Sequence, residues 1–388
     1  MKRSRIVVKI GSSSVTASAG GIDTGAVDKL CGEVADAVVA GNEVVIVTSG
    51  AIAAGMSVLL QYRSLPSRPN GGSRRKAGLW RSRLDPRAHD STSLQAVSAV
   101  GQSRLMGVYD EALGRYGLVA GQVLLAPLDF VNRSQYLHAR GTLRRLLELG
   151  VVPVVNENDA VADEEIRFGD NDRLAALVAH LVGADVLVLL TDTDGLLTAD
   201  PRLEEAATLI EEVVEIDHEL EAIAGGPGTS VGSGGMASKL AAAKIASWSG
   251  VRTVIASAQR PGVLAAALSG EPGAGTLVHA RRQCLSARKL WIAFAVAPSG
   301  TLVVDKGAYE ALEPGGRSLL PAGVVEVRGA FIPDDAVEIA TEDGRVFAKG
   351  LTRMAAASAE KWLGRQTSEL PPDLPHEVVH ADDLVVVP

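Results

Sequence analysis

The chain has 388 residues, 47% of them hydrophobic and only 4% aromatic, and a net charge of −8. One core stops growing near ~250–300 residues, so two domains with aliphatic interiors are expected. The acidic balance excludes general nucleic-acid binding by the whole chain, and the two distant cysteines, Cys31 and Cys284, exclude a disulfide scaffold and fit a reducing cytoplasm.

From the start to about residue 280, short apolar runs alternate with longer amphipathic ones. Strands are expected over 6–10, 43–47, 122–125, 151–155, 186–190 and 253–255, and helices over 26–40, 94–115, 134–149 and 236–248. Apolar strands joined by helical connections of this length indicate an α/β fold, a mostly parallel sheet covered on both faces. Ligands in such sheets bind beyond the carboxyl ends of the strands. Polar clusters follow four of them: Gly11-Ser12-Ser13, Thr48-Ser49-Gly50, Asn156-Glu-Asn-Asp159 and Thr191-Asp192-Thr-Asp194. These four are expected to form one site.

The segment 57–93 fits neither period. It carries eight Lys/Arg against two acids, with Pro66, Pro69, Gly71 and Gly72, and is expected to be a long, mobile surface loop. After about residue 285 the texture changes to strand-like runs at 291–296, 301–304, 323–327, 336–339 and 346–348, separated by Pro/Gly turns. The expected domains are therefore 1–280 and a small β-barrel-like domain at 286–388. The longest apolar stretch, 177–190, contains His180 and Asp185 and is too short to span a bilayer, so no membrane segment is expected.

Two lysines carry the strongest chemical signal. Lys9 ends a β-branched strand that runs into a small-residue turn at Gly11. Lys239 closes the run Gly225 to Lys239, where six glycines fall within 225–235 and a helix follows. Such a loop lets backbone N–H groups turn toward an anion, and the helix presents its positive end to the same place. Two cations and such a loop describe a phosphoryl-transfer site. The loop is not a P-loop, because Lys239 stands between Ser238 and Leu240. It matches the looser dinucleotide fingerprint, but no strand directly precedes it, and an inert flexible loop is the plainer alternative.

The segment 156–172 is dense in amides and carboxylates. Asn156, Asn158 and Asn171 are expected to donate to a substrate carboxylate and Asp159 to accept from a substrate ammonium, a mix suited to an amino acid. A solvated acidic loop is the alternative reading. Ser49, in a tight turn of small residues, becomes a substrate contact only as part of the cluster. His376-Glu-Val-Val-His380 matches a zinc-protease pattern by letter. However, three prolines stand just upstream and two valines favour a strand, so no metal site is assigned.

Taken in order, Val-Val-Lys9-Ile-Gly-Ser, Thr48-Ser49-Gly-Ala-Ile-Ala-Ala-Gly55, Val-Gly-Gln102-Ser-Arg-Leu, Asn156-Glu-Asn-Asp159, Phe-Gly-Asp-Asn171-Asp172, Thr191-Asp192 and Gly-Ser-Gly-Gly-Met-Ala-Ser-Lys239 closely resemble the bacterial glutamate 5-kinases. This family belongs to the amino-acid kinase superfamily and carries a C-terminal PUA domain. The resemblance covers nearly the whole chain except 57–93. It implies an αβα sandwich plus a PUA domain, ATP with Mg²⁺, and phosphorylation of the γ-carboxylate of L-glutamate, the first step of proline biosynthesis. It further implies a cytoplasmic homo-oligomer, proline as a feedback inhibitor, and RNA binding as a property of PUA domains elsewhere.

Residue by residue, the resemblance implies that Lys9 and Lys239 contact ATP phosphates, with Asp172 orienting both. Gly11, Thr191, Asp192, Ser233, Gly234, Gly235, Met236, Ala237 and Ser238 would complete the ATP site. Ser49, Asn156, Asp159 and Asn171 would hold glutamate. Two rivals remain: another phosphotransferase of the superfamily acting on a different carboxylate, carbamate or UMP, and an RNA-binding regulatory protein.

Overall fold

The structure, a computed structural model, describes residues 3–17, 20–64, 91–161, 171–199, 204, 206–225, 235–282, 284–294, 296–371 and 374–387. It divides into two compact units, Met1–Gln283 and Cys284–Pro388.

The first unit is built on an eight-stranded sheet: β1 (Arg5–Ile10), β2 (Glu43–Val47), β3 (Ala120–Leu125), β4 (Val152–Glu157), β5 (Val186–Thr191), β6 (Glu212–Val213), β7 (Arg252–Ser257) and β8 (Thr276–Val278). Neighbours run in the order β3-β4-β2-β1-β5-β7-β8-β6, and every pair is parallel except β7 with β8. The four strands with polar exits, β4, β2, β1 and β5, are therefore consecutive. Chain order reverses about β1, which lies between β2 and β5, and a crevice at such a switch point is where α/β sheets bind ligands.

Alternation along β1 decides which side chains reach the site. Ile6, Val8 and Ile10 join the core formed with Val27, Leu30 and Val34 of the helix Thr24–Val39. Successive strand residues face opposite ways, so Val7 and Lys9 belong to the other face. Local chemistry sets the helix starts. Asp23 accepts from Ala26 N at 3.0 Å, and Asn132 caps Arg133–Glu148 by accepting from Ser134 N at 2.9 Å. Gly50 turns the chain from β2 into the helix Ala51–Ser64 with φ 104°, and a Cβ there would approach Val15 Cγ2 to 3.1 Å. The positive φ favours glycine here, and the close Val15 contact adds to the cost of any side chain.

Two sequence expectations need correction. The ends of the segment 57–93 are not loop: residues 57–64 belong to the helix Ala51–Ser64, and 91–93 open the helix Ser91–Gly114. Residues 65–90 lie outside the described residues. The run at 291–296 was expected to be a strand, but the helix Ala287–Phe294 occupies that place. A short apolar run does not distinguish the two periods, and here Leu290 and Ile292 are both fully buried from the helix. The strand expected at the His376-to-His380 run is present, but β13 (Val379–Val386) takes only the end of that run.

The second unit holds β9 (Gly300–Val304), β10 (Val324–Gly329), β11 (Ala336–Thr341) and β12 (Val346–Thr352) with β13. They pair in the order β10-β9-β11-β12-β13, with β11 and β9 parallel and the other pairs antiparallel. Leu302, Val304, Val337, Ile339 and Phe347 fill their shared core. Among the described residues, no helix is long and apolar enough to cross a membrane.

Candidate active site

Three charged side chains meet at the exit of β1. Lys9 Nζ lies 2.5 Å from Asp172 Oδ1, and Lys239 Nζ lies 3.0 Å from Asp172 Oδ2. Asp172 stands in the first turn of the helix Asn171–Val182, and Lys239 in the first turn of Met236–Trp248. Both helices cover the Lys9 face of the sheet. Exposure is 2% for Lys9, 0% for Asp172 and 5% for Lys239, so water contributes little to their balance.

Ser238 Oγ also donates to Asp172 Oδ2, at 2.8 Å. Burial alone pushes the Asp172 carboxyl up, but the charges and hydrogen bonds of Lys9 and Lys239 outweigh it and hold the group below the usual carboxylate range. The cluster carries one net positive charge and is complementary to an added anion. Gly11 follows β1 without a side chain, where a Cβ would sit 3.4 Å from Lys9 Nζ. Gly235 is the N-cap of Met236–Trp248 and uses no side-chain cap. The N–H groups of that first turn, including Ala237, are thus directed to the same region as Lys239. Ser233 and Gly234 lie outside the described residues.

A second cluster forms where β2 and β4 end beside the Asn171 helix. Asn171 Nδ2 is 2.5 Å from Thr48 O, 2.7 Å from Asn156 Oδ1 and 3.0 Å from Ser49 Oγ. An amide has two N–H bonds, and the two carbonyl oxygens take them. In this structure both Asn171 donors are thus taken up inside the protein, by oxygens of Thr48 and Asn156. Asn171 Oδ1 is buried and has no hydrogen-bond partner among the described residues, so this side chain offers an acceptor. Asn156, 4% exposed, presents its Oδ1 inward and keeps Nδ2 as its donor end. Asp159 Oδ2 accepts from Ser98 Oγ at 2.6 Å.

The exit of β5 contributes Thr191 and Asp192, with Thr191 Oγ1 donating to Asp192 Oδ1 at 3.1 Å. These two residues also line a cavity of about 520 Å³ on the Thr24–Val39 side, together with Ser13, Ser14, Asp23 and Lys29. Lys29 has a structural task there, donating to the carbonyls of Ala258 and Arg260 at 2.6 and 2.8 Å.

Three further side chains support these clusters. Thr48 supplies the carbonyl that anchors Asn171, and its hydroxyl shares a 2.7 Å hydrogen bond with the fully buried Tyr109 hydroxyl. Burial raises the Tyr109 phenol well above its ordinary pKa, so it stays neutral. Ser98 is the third.

Residues 4–257 match the model of the amino acid kinase family, and residues 300–371 match the PUA domain. The chain belongs to the amino acid kinase family. Among its relatives, a glutamate 5-kinase of Geobacter sp. (strain M21) is 45% identical over 390 residues, covering 100% of this chain and 98% of that one. A glutamate 5-kinase of Nocardia farcinica (strain IFM 10152) is 46% identical over 382 residues, covering 98% and 96%. Identity at this level over whole chains places it among the glutamate 5-kinases. Among solved structures, a product complex of T. acidophilum isopentenyl phosphate kinase aligns with a TM-score of 0.45 and 18% identity, over 71% of this chain and 100% of that one.

Proposed function

We propose that this site transfers the γ-phosphoryl group of ATP to the γ-carboxylate of L-glutamate, giving L-glutamyl 5-phosphate, the first step of proline biosynthesis. The observation that carries the reading is the buried Lys9–Asp172–Lys239 cluster, set at the switch point of the sheet beside an amide- and carboxylate-rich pocket. A γ-carboxylate has a pKa of about 4.3 and is already an ionised nucleophile at neutral pH, so the protein need not supply a general base. It must supply alignment and charge.

Lys9 and Lys239 neutralise the transferring phosphoryl oxygens from two sides, while Asp172 holds the two ammonium groups in register. The first-turn N–H groups of Met236–Trp248 and the open backbone at Gly11 hold the phosphate chain. Thr191 and Asp192 serve the nucleoside end. Mg²⁺ enters as part of the ATP complex, hence as substrate.

For glutamate, Asp159 accepts from the α-ammonium, and the buried Asn171 Oδ1 is a second candidate acceptor. Ser49 and Asn156 donate to carboxylate oxygens. These contacts favour an amino acid over a simple dicarboxylate, because a dicarboxylate brings no ammonium to the Asp159 carboxylate. A cytoplasmic homo-oligomer with proline as feedback inhibitor completes the proposal.

The test is ADP formation from ATP with L-glutamate, D-glutamate, L-aspartate, N-acetyl-L-glutamate and UMP, with hydroxylamine present to trap an acyl phosphate. Turnover and hydroxamate with L-glutamate alone support the reading. Preferred turnover of any other acceptor refutes it.

A further inference from the structure

Two helices that flank the glutamate pocket cross with no room for a methyl group between them. A Cβ on Gly55 of Ala51–Ser64 would lie 1.9 Å from Val97 O, and one on Gly101 of Ser91–Gly114 would lie 1.7 Å from Ala51 O. Backbones this close fix the two helices in one register, because any axial slip would drive a side chain into a carbonyl. Ser98 lies within that contact, next to Val97 and three residues before Gly101, and is 1% exposed. Its hydroxyl donates to Asp159 Oδ2 at 2.6 Å.

One turn further, Gln102 reaches the same strand exit, with Nε2 3.4 Å from Glu157 O. Residues four apart share a helix face, so this face tracks the chain from Glu157 to Asp159 as β4 ends. Ser98 thus contributes a hydroxyl where a buried helix face would ordinarily present an apolar group. A buried hydroxyl spent on a carboxylate favours one carboxylate orientation, with Oδ2 tied to the helix.

We infer that Ser98 is a positioning residue for amino-acid recognition, aiming the Asp159 carboxylate at the substrate α-ammonium, and that the Gly55–Gly101 crossing is what holds Ser98 in place. The inference rests on the assignment of Asp159 to the ammonium. It separates two parts of the substrate. Ser98 acts on the amino group alone, so the γ-carboxylate and the phosphoryl group should not register its loss.

The experiment compares wild type, Ser98→Ala and Asp159→Asn in three measurements: KM for L-glutamate, kcat, and the inhibition constant of glutarate, which keeps both carboxylates and lacks the amine. Alanine is smaller than serine and a better helix former, so Ser98→Ala is expected to fold. It should raise KM for glutamate roughly tenfold, the scale of one hydrogen bond to a charged group, with kcat falling less than about twofold. The glutarate constant should stay the same or tighten. An unchanged KM, or a parallel weakening of glutamate and glutarate, overturns the inference. Asp159→Asn separates the two layers. If it raises KM while Ser98→Ala does not, only the role of Ser98 fails. If neither changes KM, the ammonium assignment itself is wrong.

Discussion

Replacing Asp172 with Asn removes the charge that holds two buried lysines together while keeping nearly the same volume. At separations of 2.5 and 3.0 Å, each ion pair is worth about 5–7 kcal/mol of attraction at an effective dielectric near 20. Much of that offsets the desolvation of three charges, so the net cost of removing one partner of a buried pair is about 3–5 kcal/mol. Asparagine accentuates the loss, since its single oxygen can accept from one lysine and its NH₂ then faces the other. With a urea m-value of about 3 kcal/mol/M for a unit of this size, the midpoint of the first unit should fall by about 1–1.7 M.

The pH dependence has a definite sign. The folded Asp172 carboxyl is held below its unfolded value, so its contribution is present above the unfolded pKa of about 3.9 and is lost as pH falls through the folded value. The gap between wild type and Asp172→Asn should therefore be constant from pH 6 to 8 and should close only in strong acid. Urea melts at pH 7, followed by far-UV circular dichroism and fluorescence, give the comparison. A variant within about 1 kcal/mol of wild type at pH 7 would refute the argument that this carboxylate holds the two lysines.

Lys9→Ala and Lys239→Ala should each lower kcat roughly 10²–10³-fold, the scale for removing one preorganised charge stabiliser, while glutamate binding without ATP changes little. Steady-state kinetics with near-normal kcat would remove that residue from the phosphate clamp. Gly101→Ala should destabilise the first unit by at least about 1–3 kcal/mol, because the added methyl meets the Ala51 carbonyl at 1.7 Å and cannot be absorbed by a rotamer. A Tm equal to wild type would show that the crossing is looser than described. Cys31 is buried, with its thiol pushed up to about 12 chiefly by burial and also by Asp28, whereas Cys284 is exposed. A disulfide reagent at pH 8 should therefore label one thiol quickly in the native chain and two after denaturation; rapid labelling of both would contradict the packing of Cys31.

Much of this site is legible in the sequence because it lies at strand ends. The alternation Ile6-Val-Val8-Lys9-Ile10 already sets Lys9 opposite the aliphatic face, and polar clusters mark the exits of β2, β4 and β5. The pairing of Lys9 with Asp172 and Lys239 is different. It depends on two helices, distant in sequence, packing on one face of the sheet, and no local period encodes that. Asp172 by itself looks like any acid in a first helical turn, and only the family resemblance marks it as the partner of both lysines. Ser98 was missed for a related reason. Within Ala96-Val-Ser-Ala-Val100 it reads as one small residue among others, and its meaning comes from the glycine crossing and from Asp159 on another element. The orientation of the Asn171 amide is not legible in the sequence, because an isolated amide has two ends and only its neighbours Thr48 and Asn156 fix which end they bind. The short β6 and β8 escaped notice because two and three residues cannot display an alternation.

The most direct test of the central claim, that the lysine cluster delivers phosphoryl to an unactivated carboxylate, follows an oxygen atom. L-Glutamate labelled with ¹⁸O in both γ-carboxylate oxygens is incubated with ATP, Mg²⁺, hydroxylamine and the enzyme, and the released phosphate is analysed by mass. If the γ-carboxylate attacks phosphorus, one of its oxygens bridges carbon and phosphorus. Hydroxylamine then attacks the acyl carbon and expels phosphate that retains the bridging oxygen. The account predicts one ¹⁸O per phosphate, in amounts matching ADP and hydroxamate; ADP accompanied by unlabelled phosphate would contradict it.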